Sequence, residues 1–170
     1  MHFIWKRKME FENFIRGIAS NKIKPFGGLY ALITVVESYF ELISRVLMDK
    51  IGLSKADLKR KENNQENLTK DLLNEGSIDE VTNEIFHEVR KIRNDLVHDV
   101  LYKPDLRRLQ EFVKTCFNSE LDPAEIQMCL LSEEKLEQIF CNKITEAYCY
   151  VSNKHNKQVE MKLAEYIERS

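Results

Sequence analysis

Apolar residues recur every three or four positions through most of this chain, the spacing that gathers them on one stripe of an α-helix. The pattern predicts a first helix over residues 6–19, carried by Met9, Phe11, Phe14, Ile15 and Ile18. Pro25 and the pair Gly27-Gly28 interrupt it, because proline removes a helical hydrogen bond and glycine tolerates turn geometry. A second helix over 28–51 is the most apolar in the chain. Leu29, Leu32, Ile33, Val36, Phe40, Ile43, Val46, Leu47 and Ile51 form a stripe wide enough to pack against two neighbours, which predicts the central helix of a bundle. Gly52 suits the end of that helix, and Ser54 suits the cap of a short successor.

Residues 59–67 are entirely polar and read either as an exposed helical extension or as a loop. Ser77-Ile78-Asp79-Glu80 has the spacing of a capping box with Ser77 as N-cap. From there Ile78, Val81, Ile85, Val89 and Ile92 predict a third long helix. Pro104 is expected in the first turn of the next helix, where its missing amide costs nothing; Leu106, Leu109, Phe112, Val113 and Cys116 form its apolar face. Asp122-Pro123-Ala124-Glu125 combines an N-cap acid, a proline at N1 and a glutamate at N3, so a short helix is expected to about Leu131. Ser132 should cap a longer one carrying Leu136, Ile139, Phe140, Ile144, Ala147 and Val151. A last segment over 156–169 repeats Val159, Leu163 and Ile167, and either closes the bundle or packs on a second subunit. The expected fold is all-α: an up-and-down helical bundle with additional C-terminal helices.

Composition supports that class. In 170 residues there are only five glycines and three prolines, too few for a many-turned β architecture. At 43% hydrophobic the chain can bury one substantial core and is read as one domain over 1–170, with a core near 28–117 and a helical extension over 118–170. No stretch has the roughly 20 apolar residues of a membrane span, and the N-terminal charges follow the apolar residues rather than precede them, unlike a secretory signal. The expectation is a cytoplasmic protein without a membrane partner.

The net charge of −2 hides an asymmetry. Residues 1–60 hold eleven Lys and Arg against six Asp and Glu. Lys6-Arg7-Lys8, Lys22, Lys24 and the lysines and arginine from Lys55 to Lys61 offer a polyanion an electropositive face, or are simply the solvated side of exposed helices. Cys116, Cys129, Cys141 and Cys149 lack C-x-x-C spacing, so reduced, partly buried thiols are expected rather than a zinc knuckle. No cofactor is expected.

The apolar stripe of the third long helix runs out where Arg93-Asn94-Asp95-Leu96-Val97-His98 begins. If the helix continues a turn beyond Ile92, Asn94 and His98 share a face at i,i+4 with Arg93 beside them. A histidine titrates near neutrality and a guanidinium grips two phosphate oxygens, a combination suited to a phosphodiester. One histidine supplies one of the two proton transfers such a reaction needs, so a second copy across a two-fold axis would supply the other. The same residues can alternatively complement the negative end of the helix.

Arg93-Asn94-Asp95-Leu96-Val97-His98 resembles the R-x4-6-H signature of the HEPN superfamily (higher eukaryotes and prokaryotes nucleotide-binding domains), with Asn94 as the polar residue that commonly follows the arginine. The long helices on either side agree, and the looser likeness runs from about Gly28 to Phe117. The resemblance implies a helical bundle that dimerises with its motifs facing one another and cuts RNA without metal, in antiviral defence or a toxin–antitoxin system. It gives Arg93 the scissile phosphate, His98 the protons, Asn94 a supporting role, and Glu37 the place of an acidic partner for Arg93. The expected partners are an RNA substrate, a second copy in a homodimer, and a separate antitoxin or nucleotidyltransferase protein. The competing reading is a noncatalytic binding or regulatory module, such as the helical partner of a nucleotidyltransferase or a mannitol-repressor-like regulator.

Overall fold

A computed structural model describes the backbone of residues 28–50, 65–98 and 104–168. Within them the chain is an all-α, up-and-down bundle of six helices: α1 (Gly28–Lys50), α2 (Gln65–Asn74), α3 (Glu80–His98), α4 (Leu106–Phe117), α5 (Pro123–Leu131) and α6 (Glu133–Glu168). The helix expected over 6–19 and the caps expected at Gly52 and Ser54 lie outside the described residues, as does Ile51.

The apolar stripe of α1 explains its place. Leu32, Ile33, Val36 and Ile43 are fully buried, and α1 packs most extensively on α6 and α3. Phe40 stacks on Phe86 of α3 with ring centroids 4.7 Å apart. The start of α1 takes a cap from across the fold, its Leu29 amide donating to Glu137 Oε1 of α6 at 3.1 Å. One contiguous core includes residues from all six helices. The helices after Asn118 are therefore integral to the packing around α1.

Helix α2 carries a helical segment through the end of the polar stretch, and Leu68 and Leu72 are the i,i+4 pair it buries. The turn after it differs from the expected capping box. Gly76 takes φ +66°, its amide donates to Leu73 O at 3.0 Å, and the Ser77 amide donates to Leu72 O at 2.9 Å. This is the Schellman arrangement that closes a helix C-terminus. Ser77 is thus spent on the end of α2, and the N-cap of α3 is Asp79, whose Oδ1 accepts from the Thr82 amide at 2.9 Å.

Of the expected stripe, Ile85, Val89 and Ile92 are buried on α3 and Ile78 is buried just ahead of it, but Val81 is exposed. Thr82 and Phe86 are buried in its stead, turning the buried arc away from Val81. Pro104 likewise precedes α4 rather than opening it. Asp105 is the cap, accepting from the Arg108 amide at 2.8 Å, and α4 begins at Leu106. The start of α5 matches its sequence signal fully: Asp122 and Glu125 form a reciprocal capping box with Pro123 in the first turn.

Ser132 caps α6 as expected, its Oγ accepting from the Lys135 amide at 3.2 Å. The helix then runs 36 residues without a break, so the segment over 156–168 is a continuation and not a separate element. No glycine or proline occurs in it, and its buried stripe passes from Phe140, Ile144 and Val151 through His155 to Val159. No helix among the described residues is long and apolar enough to cross a membrane.

Candidate functional site

Helix α3 does continue past Ile92, through Arg93 and Asn94 to His98. The helical backbone therefore places Asn94 and His98 on one face, with Arg93 adjacent. The side chain of His98 lies outside the described residues.

Arg93 is drawn toward α1 because Glu37 faces it. Arg93 Nε and Glu37 Oε2 are 3.2 Å apart, with the arginine side chain 38% exposed and the glutamate 14%. Arg93 Nη1 also donates to Asn94 Oδ1 at 3.2 Å. Two polar neighbours thus hold the guanidinium in a fixed direction at a half-open position. Glu37, which only the resemblance offered as an acidic partner for Arg93, forms this ion pair.

The Glu37 carboxyl is held above its ordinary pKa of 4.5. Burial is the leading cause and disfavours the charged form. Arg93 pulls against it, Glu41 on the next turn of α1 adds to it, and Arg90 pulls against it more weakly. Arg90 was not singled out in the sequence, although its place three residues before Arg93 puts it on the same helix face.

Behind this site, α3 is tied to α4 by charge. Arg108 Nη2 of α4 and Glu88 Oε2 of α3 lie 2.7 Å apart, and both side chains are more than nine-tenths buried. The remaining Arg108 nitrogens, Nε and Nη1, find no hydrogen-bond partner among the described residues. Neither residue stood out in the sequence, where each reads as an ordinary exposed charge on a helix.

A second polar cluster gathers at the opposite end of α3. Tyr150 OH of α6 donates to Asp79 Oδ2 at 3.0 Å, and Lys154 Nζ donates both to Asp79 and to Tyr150 OH at 2.6 Å. Burial pushes the Asp79 carboxyl up, but its hydrogen bonds from Lys154, Thr82 and Tyr150 outweigh this and hold it well below the usual carboxylate range. Beside it, His155 is buried and neither ring nitrogen has a hydrogen-bond partner among the described residues.

Cys116, Cys129 and Cys141 are buried free thiols. Burial chiefly, with help from Glu137, pushes the Cys141 thiol up to about 12, which keeps it protonated and unreactive. Among the described residues no group of three or more His, Cys, Asp or Glu side chains is placed to hold a metal ion. The basic residues of 1–24 and 55–61 lie outside the described residues.

Neither the family models, nor the curated proteins, nor the solved structures contain a match to the chain.

Proposed function

We propose that this chain is a metal-independent endoribonuclease working through Arg93, Asn94 and His98. The observation that carries the reading is the clamp on Arg93: Glu37 and Asn94, each 3.2 Å away, fix a half-exposed guanidinium on the helix turn that leads to His98. A guanidinium fixed in advance stabilises a developing phosphorane charge without reorganising at the moment of reaction.

The reaction begins with the RNA 2′ hydroxyl losing its proton and attacking the adjacent phosphorus. Arg93 stabilises the charge on the non-bridging oxygens, and Asn94 keeps Arg93 in register. His98 serves as base or acid, and the complementary transfer falls to the same residue of a second copy in a homodimer. The P–O5′ bond breaks, the leaving oxygen takes a proton, and the products carry 2′,3′-cyclic phosphate and 5′ hydroxyl ends. DNA is not cut, because it lacks the internal nucleophile.

The test compares wild type, Arg93→Ala and His98→Ala on mixed structured and single-stranded RNA with chelator present, each protein checked for its helical spectrum. Loss of cutting in both folded variants, with cyclic phosphate ends from the wild type, supports the reading. Cutting that survives His98→Ala, or that needs added divalent metal, overturns the mechanism. A folded, separated wild type that cuts nothing but captures a protein partner through this face selects the noncatalytic module instead.

A further inference from the structure

The geometry points to Arg90 as a second phosphate contact, holding the strand at a phosphate next to the one engaged by Arg93; the inference rests on the ribonuclease reading for the kind of strand bound.

At about 100° per residue around a helix, Arg90 falls between Arg93 and Asn94 in direction and one turn nearer the start of α3. Side chains three residues apart on such a face have Cβ atoms about 5–6 Å apart, close enough for two arginine forks to take neighbouring phosphates of one chain. The two arginines stand differently in the fold. Arg93 is committed through Nε to Glu37 and through Nη1 to Asn94. Arg90 is half-buried and acts on the same Glu37 carboxylate from farther off, while no described side chain takes its guanidinium in an ion pair or hydrogen bond.

That division suits two tasks. A clamped arginine is aimed at one atom group and is poorly able to follow a moving strand, whereas an unclamped one on the next turn can. Glu41 on α1 lies near Glu37 and would repel a strand running along α1, which favours a path along α3 from Arg93 toward Arg90.

The probe is a short 2′-fluoro RNA strand, which carries phosphates but no 2′ nucleophile, compared with a 2′-fluoro dinucleotide holding a single phosphodiester. Binding to the full chain is measured across a range of salt. Arg90→Gln should weaken the strand about tenfold, as loss of a charged hydrogen bond does, and should lower the slope of log affinity against log salt by about 0.7, the share of one phosphate in a single strand. The dinucleotide should bind Arg90→Gln as it binds wild type, and Arg90→Lys should keep the slope. If Arg90→Gln loses the wild-type helical spectrum, Arg90→Met, which keeps the apolar stem, replaces it.

An unchanged slope overturns the inference, as do equal losses on strand and dinucleotide or a folded wild type that binds neither. A wild type that leaves natural RNA intact, yet binds the fluoro strand through Arg90, sinks the ribonuclease reading and leaves the second phosphate contact standing.

Discussion

Arg108 and Glu88 meet 2.7 Å apart across the α3–α4 contact, both side chains more than nine-tenths buried. The pair bears on the candidate site because Glu88 lies little more than one turn before Arg93 on the same helix. Breaking such a pair leaves one charge buried without its counterpart, at a cost of about 3–5 kcal/mol, whereas replacing both charges by apolar groups of similar volume is often neutral or better. Glu88→Leu and Arg108→Met should each lower the urea midpoint sharply, and the double variant should recover most of the loss. Additive losses in the double variant would show that the two charges do not depend on one another.

The link between α2 and α3 rests on two local devices. Gly76 holds φ +66°, and a Cβ added there meets nothing within 4 Å, so the penalty of Gly76→Ala is purely that of the left-handed backbone, about 1–2 kcal/mol. Gly76→Asn should cost less, since asparagine visits that region. Asp79→Ala removes the cap of α3 and should cost about 1 kcal/mol, with further loss from the contacts to Tyr150 and Lys154. Thermal unfolding in which Gly76→Asn is no better than Gly76→Ala would contradict this account.

His155 predicts an acid sensitivity. Burial is the main cause holding its pKa below the ordinary 6.5, Lys154 adds to the lowering and Asp79 opposes it. The unfolded chain therefore takes up this proton first as pH falls. Stability is unaffected above about pH 6.5 and is lost as pH drops from there toward the lowered folded value, by at most about 1.4 kcal/mol per pH unit. His155→Phe should flatten this dependence in urea titrations between neutral pH and the range where carboxylates titrate. A slope as steep as in wild type would place the effect elsewhere.

On the proposed ribonuclease reading, Glu37 should shape the acid limb of RNA cutting. Its carboxyl, raised above 4.5 by burial, accepts a proton at a higher pH than an exposed glutamate, and Arg93 then loses its charged partner. Glu37→Gln should cut more slowly than wild type at neutral pH while lacking this extra loss as the pH falls. Glu41→Gln should keep the acid limb but move it to lower pH, because Glu41 is one of the charges that raise the Glu37 carboxyl. An identical pH–rate profile in wild type and Glu37→Gln would remove Glu37 from the positioning of Arg93.

Local patterns in the sequence were sufficient for the helical class, the stripe of α1 and the Asp122 start of α5, whereas the run of α3 past Ile92 to His98 stood only as a condition until the structure showed it. Each of the first three depends on residues within one or two turns, where periodicity and capping chemistry act directly. Tertiary structure decided what depends on residues far apart in the chain. Ser77 lost the capping role to Asp79 because the end of α2 claimed its amide. The polar interval around Ser152 and His155 did not break α6, since packing supplied a buried side for both. Arg90, Glu88 and Arg108 look alike in sequence, yet one stands beside a candidate phosphate site and the other two are sealed in a core. A charged side chain carries no local mark of its burial: that is set by which helix lies against it, and only the assembled bundle determines the neighbour.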